Sequence, residues 1–205
     1  FAGDAYNVAV GFNAGLSVST GVENAIIGSS AADAMTTGSY NAVLGTSALG
    51  ANTKSNANVA IGNSALANHN LTSDTAGYNI AIGFNAGVLV STGTLNTIIG
   101  GLAGDAITTG ASNTVLGYQA LTTANSTESQ NVAIGAYSLN AMDNGSTTNT
   151  HNTALGYYSG VAVTTGRQNT ILGALTGDAL TTGTNNIIIG YNAAASAVDV
   201  SNEIT

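Results

Sequence analysis

One five-residue pattern, Asn-x-x-(Val/Ile/Leu)-Gly, occurs eleven times in this chain of 205 residues. Successive copies start 17 residues apart in seven of the ten intervals, and 18 or 21 residues apart in the other three. Self-similarity at a short fixed period is typical of proteins that stack one structural unit on the next. The candidate structural residues are the Asn and Gly of each copy: Asn7 and Gly11, Asn24 and Gly28, Asn41 and Gly45, Asn58 and Gly62, Asn79 and Gly83, Asn96 and Gly100, Asn113 and Gly117, Asn131 and Gly135, Asn152 and Gly156, Asn169 and Gly173, Asn186 and Gly190.

The composition favours β-structure with a buried core. Hydrophobic residues make up 44% of the chain and charged residues 6%, which excludes disorder caused by low hydrophobicity and high charge. The 27 Gly and the absence of Pro suit many short strands joined by tight turns. Seventeen extended residues span about 56 Å, which is enough for two short strands in each coil. We therefore predict an all-β, parallel β-solenoid or β-roll of about 11 coils.

Charge and hydropathy exclude two classes of partner. Lys54 and Arg167 stand against ten acidic residues, so the chain cannot neutralise a run of phosphates and we expect no nucleic acid partner. No apolar run approaches the roughly 18 residues that a membrane helix needs, so we expect no membrane insertion. The chain has no Cys and begins at Phe1, so we expect a segment of a longer protein that is stabilised by packing.

The strand in each copy has two apolar faces. We number positions from the Asn, so that Asn is position 1 and Gly is position 5. Positions 2 and 4 share one face because side chains alternate along a strand, and we predict that the large aliphatic residues at position 4 line the interior. Position 3 points the other way and is also apolar throughout, so we predict that it is buried against other copies of the chain. Position 3 holds Ala9, Ile26, Val43, Ala60, Ala81, Ile98, Val115, Ala133, Ala154, Ile171 and Ile188.

Three further repeat features have structural interpretations. The stacked Asn residues form an amide ladder or serve as turn residues. The Gly ends each strand where a side chain would clash or a positive φ is needed. A small residue at position 8, from Ala14 to Ala193, permits close approach of neighbouring coils.

A longer period overlies the short one. The residues at position 3 repeat as Ala, Ile, Val, Ala, and each 21-residue spacing ends such a group of four coils. We therefore divide the chain into a partial coil (1–6), two four-coil modules (7–78 and 79–151), a partial third module (152–195) and an exit segment (196–205) towards a further C-terminal domain.

The Asn-to-Gly repeat resembles the repeats of known protein families. The strings at residues 58–62 (Asn-Val-Ala-Ile-Gly) and 131–135 (the same sequence) resemble the head repeats of trimeric autotransporter adhesins. The string at residues 152–157 (Asn-Thr-Ala-Leu-Gly-Tyr) is similar to repeats of bacteriophage tail fibres. The resemblance spans roughly residues 5–195 and implies a left-handed parallel β-roll with three chains around one axis, although the adhesin repeat is shorter. Residues 200–205 resemble the exit segment of phage fibres, which favours the fibre over the adhesin.

Several residues are candidates for surface binding. The Thr-Thr-Gly turns that begin at Thr36, Thr108, Thr164 and Thr181 could form threonine ladders as on ice-binding solenoids, although adjacent Thr residues fall on opposite sides of a strand. Asp33, Asp105 and Asp178 recur at one place in the modules, either as Asx-turn residues or as cation ligands in an oligomer.

The 21-residue spacings contain the other candidates: His69, Asp74, Asn144 and His151. The two histidines are either solvated loop residues or metal ligands on a trimer axis. Aromatic pairs flank the strands, Tyr6 with Phe12, Tyr78 with Phe84 and His151 with Tyr157, and either pack on one another or stack on a sugar.

The ten acidic residues are scattered singly, and no set of nucleophile, base and orienting residue is present, so we predict a protein that is not an enzyme and needs no cofactor or metal. The sequence predicts the homotrimeric shaft of a virion tail or head fibre that supports host attachment. One alternative is the head of a bacterial trimeric adhesin, extracellular on the cell surface, that binds host glycan or protein. A third possibility is an ice-binding or extracellular-matrix solenoid.

Overall fold

The computed structural model describes residues 5–123, 127–143, 145 and 149–205. These residues form an all-β solenoid without helices, which confirms the predicted fold class. Each of eleven coils contributes one strand of three residues rather than two strands, and turns complete the coil. The strands are β1 (Val8–Val10), β2 (Ala25–Ile27), β3 (Ala42–Leu44), β4 (Val59–Ile61), β5 (Ile80–Ile82), β6 (Thr97–Ile99), β7 (Thr114–Leu116), β8 (Val132–Ile134), β9 (Thr153–Leu155), β10 (Thr170–Leu172) and β11 (Ile187–Ile189).

The strands form one parallel sheet in chain order, so each coil pairs with the coil before it and the coil after it. Equivalent positions lie opposite one another, as in the pairing of Val8 with Ala25. Val59 pairs with Ile80 in the same register although these residues are 21 apart. The longer spacings therefore add residues outside the sheet and leave its register unchanged.

The position 1 Asn residues form an amide ladder inside the solenoid. The Nδ2 of Asn41 donates to the Oδ1 of Asn24 at 3.1 Å and to the carbonyl of Ser55 at 3.1 Å. The backbone N–H of Asn41 also donates to the Oδ1 of Asn24, at 2.9 Å. From Asn24 to Asn186 these side chains are at most 2% exposed, so the ladder satisfies polar groups that water cannot reach.

The structure reverses the predicted faces of the strands. Position 3 is buried in coils 2 to 11, with Val43 the most exposed at 3%. Positions 2 and 4 face outward, as the exposed, buried, exposed pattern of β3 illustrates. The predictions that position 4 lines the interior and that position 3 is buried against other copies are therefore both wrong, because position 3 packs in the core of its own chain. The physical reason is size: position 3 packs with positions 8, 9 and 12 in a narrow interior and is Ala in five of the eleven coils, whereas position 4 is Val, Ile or Leu in every coil.

The interior is filled by side chains of complementary size at positions 3 and 9. Position 9 holds small residues in two coils and then Leu in the next two, as in Gly87, Gly104, Leu121 and Leu139. A Cβ added to Gly87 would lie 3.0 Å from the Cδ1 of Ile98 and 3.3 Å from the Cδ2 of Leu66, so residues of the adjacent coils occupy the space above it. This packing accounts for the four-coil period of position 3.

Left-handed backbone conformations recur at fixed places in each coil. The residue before each Asn, the residue at position 7 and, in coils 1 to 10, the residue at position 9 have positive φ, as in Tyr40 (62°), Ser47 (55°) and Leu49 (53°). The backbone N–H groups of these residues bond to adjacent coils. That of Leu49 donates to the carbonyl of Ala65 at 2.9 Å, and that of Ser47 donates to the carbonyl of Ser29 at 3.0 Å. The hydrogen bonds between coils offset a conformational cost of about 1–2 kcal/mol for each such residue.

The C-terminal residues pack on coil 11. Ile204 forms a parallel bridge with Ile187. The backbone N–H of Glu203 donates to the Oδ1 of Asn186 at 2.9 Å, in the place that the next Asn of the ladder would take. Residues 203–205 thus occupy positions 1 to 3 of a twelfth coil, in which Glu203 takes the place of the Asn.

Candidate functional site

The outward face of the sheet is an apolar strip that runs the length of the solenoid. We call positions 2 and 4 of the eleven coils the flat face. Seven side chains at position 4 are exposed, from 39% at Leu172 to 57% at Val10, and the other four are half-buried. No charged residue occurs at position 2 or 4 of any coil. The outward face of the sheet is therefore uncharged, with aliphatic side chains at position 4 and Val, Ile, Ala or Thr at position 2.

The flat face is larger than the apolar patches of ordinary monomers. Eleven aliphatic side chains, each roughly half exposed, leave on the order of 600 Å² of apolar surface at position 4 alone. Position 2 adds Val8, Ile80 and Ile187, which are exposed by 36% or more. The largest patch on a typical monomer is about 300–600 Å², and a stable protein interface buries about 800 Å² on each partner. The flat face reaches the size of an assembly interface.

His69 is not the solvated loop residue that the sequence predicted. It occupies position 12, which Met35 and Val90 fill in other coils, and it is 0% exposed. Its Nε2 lies 3.0 Å from the Oγ of Ser55, which also accepts a hydrogen bond from the Nδ2 of Asn58 at 2.9 Å. These polar side chains form a buried cluster within an otherwise apolar interior.

Burial makes the charged form of His69 unfavourable. Desolvation lowers the pKa of His69 to about 4, and the backbone of Ser91 acts weakly in the opposite direction. The Nδ1 atom is buried without a well-formed hydrogen bond. A neutral, enclosed imidazole cannot reach a metal ion on the protein surface, so the structure does not support His69 as a surface ligand.

The other predicted residues of the long spacings are dispersed. Asp74 is exposed and accepts a hydrogen bond from the Oγ1 of Thr37, two coils earlier. His151 is exposed and occupies the left-handed position before Asn152, with a φ of 53°. Asn144 lies outside the described residues. Asp74 and His151 belong to different modules, so they do not form one site.

The three recurring aspartates also lie apart from one another. Asp178 is exposed, while Asp33 and Asp105 are half-buried. The Oδ1 of Asp105 is enclosed without a partner, and burial raises the pKa of Asp105 against the effect of its own amide and that of Ala106. Successive members are four coils apart, about 19 Å, so they cannot share an ion within one chain.

The threonine turns expose at most one row of Thr side chains. The Oγ1 of Thr36 donates to the carbonyl of Thr53 at 3.0 Å, and the Oγ1 of Thr181 donates to that of Val198 at 3.0 Å. The first hydroxyl of each pair is therefore used between coils. The second Thr is exposed at Thr109, Thr165 and Thr182, whereas Thr37 is half-buried and donates to Asp74, so the turns do not form the two rows of a flat threonine array.

The aromatic contacts occur where the sequence did not predict them. No ring contact joins Tyr6 to Phe12 or Tyr78 to Phe84 in the described residues. A cluster forms instead from four tyrosines at positions 6 and 7 of coils 7 to 9, and we call it the tyrosine cluster: Tyr118, Tyr137, Tyr157 and Tyr158. Spacing along the sequence did not reveal it, because its members come from three coils.

The described residues contain neither a metal-binding cluster nor a membrane-spanning helix. No group of three or more His, Asp or Glu side chains lies close enough to hold a metal ion in the part of the chain that the structure describes. The same residues contain no helix of the length and apolarity needed to cross a membrane.

The geometry thus offers two candidate surfaces, the flat face along the whole solenoid and the tyrosine cluster at one corner of three coils. Comparisons with protein-family models, with curated proteins and with solved structures gave no match, so the function is argued from these surfaces.

Proposed function

We propose that this chain is the shaft of a virion fibre, in which three copies pack around one axis through their flat faces and hold a distal attachment part away from the particle. The observation that carries the proposal is the uncharged outward face, with a large aliphatic side chain at position 4 of every coil that is exposed in seven coils and half-buried in four. Burying it releases a large area of apolar surface from water, which is the main driving force of protein association.

Regular hydrogen bonding supports the mechanical part of this role. Every coil bonds to both neighbours through its strand, its Asn side chain and its left-handed turn residues. Ten steps of about 4.8 Å give a rod on the order of 50 Å long. A stack of coils bonded in this way along its length suits a spacer.

Two measurements test the proposal. Light scattering and sedimentation should give a species of three times the 20.0 kDa chain mass. A monomer would contradict assembly through the flat face, and a dimer would contradict the threefold arrangement. Antibodies against the chain should label fibres on purified phage particles in electron micrographs.

The head of a bacterial surface adhesin is the second candidate, and the tyrosine cluster is the observation that favours it. A shaft needs no feature that differs from coil to coil, whereas a binding head does. Labelling of bacterial cell surfaces rather than virions by the same antibodies would support the adhesin.

A further inference from the structure

The tyrosine cluster is built around Tyr137. Its ring centroid lies 5.6 Å from that of Tyr118 and 6.4 Å from that of Tyr157, with interplanar angles of 84° and 81°. Tyr158 packs against Tyr137 at 4.7 Å and against Tyr157 at 4.5 Å. The backbone N–H of Tyr137 donates to the carbonyl of Tyr118 at 3.0 Å, which fixes the turn that carries the central ring.

The cluster leaves ring surface open to a ligand. Position 6 of coils 7, 8 and 9 holds Tyr118, Ala136 and Tyr157, so two tyrosines about 10 Å apart flank a residue with only a Cβ. Tyr118 is 48% exposed and Tyr157 is 53% exposed, while Tyr137 and Tyr158 are half-buried beside them. The arrangement is an exposed aromatic patch formed by three coils, with the ring of Tyr137 between those of Tyr118 and Tyr157.

The cluster is local, whereas the surfaces of an assembly interface repeat in every coil. The equivalent places one module earlier hold Thr46 for Tyr118, Ser64 for Tyr137 and Asn85 for Tyr158. Phe84 takes the place of Tyr157, so the earlier module carries one isolated aromatic ring among small polar side chains, while the flat face is uncharged in both modules. A contact between copies along the rod would use both modules alike, so the difference favours a separate ligand.

We propose that the tyrosine cluster binds a neutral glycan of hexopyranose units, an activity beyond the shaft role and independent of the oligomeric state. The negative face of an aromatic ring attracts the C–H face of a pyranose, and the phenolic hydroxyls can donate to and accept from sugar hydroxyls. Neither Lys54 nor Arg167 lies at positions 6 to 8 of these coils, and the net charge of the chain is −8, which disfavours acidic sugars.

The test replaces the cluster with the residues that the chain itself carries one module earlier. The triple variant Tyr118→Thr, Tyr137→Ser and Tyr158→Asn keeps the repeat pattern. The probes are maltohexaose, cellohexaose, laminarihexaose and chitohexaose, with hexagalacturonic acid as the acidic comparison. Binding is followed by calorimetry and by tyrosine fluorescence, which Trp does not obscure because the chain has none.

We expect the wild-type chain to bind at least one neutral hexaose more tightly than the acidic one, and the triple variant to bind it roughly tenfold more weakly or worse. Tyr191→Ala, which removes an isolated tyrosine that is 79% exposed, should leave binding unchanged. The transfer Thr46→Tyr, Ser64→Tyr and Asn85→Tyr should raise the number of bound sugars per chain.

Three outcomes would overturn the proposal: no binding of any neutral hexaose, equal binding by the wild-type chain and the triple variant, or a change in assembly mass in the triple variant. The last result would assign the cluster to a contact between copies. Circular dichroism of the triple variant establishes that the solenoid is intact. The two binding outcomes do not depend on whether the flat face forms a trimer.

Discussion

Asn113 is bonded twice to Asn96: its backbone N–H and its Nδ2 both donate to the Oδ1 of Asn96, at 3.0 and 3.1 Å. Asn96 bonds in the same way to Asn79, at 3.0 and 3.2 Å, and its Nδ2 also donates to the carbonyl of Gly110 at 2.9 Å. One buried amide therefore connects three coils.

Asn96→Ala should lower the free energy of unfolding by about 3 kcal/mol, because it leaves the buried N–H of Asn113 and the carbonyl of Gly110 without partners. Urea denaturation followed by circular dichroism measures this change. Asn63→Ala is the matched control, since Asn63 is exposed and outside the ladder. Equal losses in the two variants would show that the ladder contributes no special stability.

Gly100→Ala should destabilise the solenoid by more than about 3 kcal/mol. Gly100 has a φ of 135°, and an added Cβ would lie 2.5 Å from the carbonyl oxygen of Gly117 in the next coil. The neighbouring Gly101→Ala should be tolerated, because its Cβ would meet only the ring of Tyr118 at 3.7 Å. Thermal unfolding of the two variants compares one glycine with the next, and similar melting temperatures would refute the steric argument.

Acid should destabilise the chain through His69. The folded pKa of about 4 lies below the ordinary value of 6.5, so protons bind preferentially to the unfolded chain. The contribution of neutral His69 is fully present above pH 6.5 and declines as the pH falls towards 4, by up to about 3 kcal/mol. Denaturation midpoints between pH 7 and pH 4 measure this decline.

His69→Met is the comparison for that pH series, since Met142 fills the equivalent place in coil 8. The variant should lose the part of the pH dependence that comes from the imidazole. His151→Gln, which removes the exposed histidine, controls for histidine content. If H69M follows the wild-type curve, the acid sensitivity has another source.

The triple variant Leu44→Glu, Leu116→Glu and Leu155→Glu should be monomeric and folded. These side chains are 41% to 47% exposed in the single chain, so charge there costs little until a partner covers it. Light scattering and circular dichroism measure the two properties. Thr20→Glu, Thr92→Glu and Thr165→Glu add the same charge at exposed positions away from the flat face and should keep the assembly. Retention of the assembly by the leucine variants would exclude the flat face as the interface.

Much of the fold could be predicted from the sequence because the repeat is strict. The five-residue pattern located all eleven strands, and the recurring Asn allowed the amide ladder as one of two interpretations. The inward face could not be chosen correctly from position 4, because alternation shows that a strand has two faces but not which one is enclosed. The size relation between positions 3 and 9, as in Ile98 with Gly104 and Ala133 with Leu139, carries that information.

The candidate surfaces were harder to predict from the sequence than the strands were. Alignment of His69 with Met35 at position 12 would have placed the histidine in the interior, but the insertion that follows it resembles a solvated loop. The tyrosine cluster depends on how positions 6 and 7 of successive coils lie after the strand has ended. Periodicity within a strand gives no side-chain directions there, so Tyr118 and Tyr137 could not be paired from sequence.

The size pattern of the interior sets the unit in which this rod can change length. Position 9 runs through two small residues and two leucines before it repeats, and the residues above and below must complement them. Removing one coil would bring mismatched side chains together, whereas removing four would rejoin equivalent surfaces. The length of such a protein therefore changes in steps of about 19 Å, the height of four coils. A gene that gains or loses one module of four coils can lengthen or shorten its product while every contact between coils stays the same.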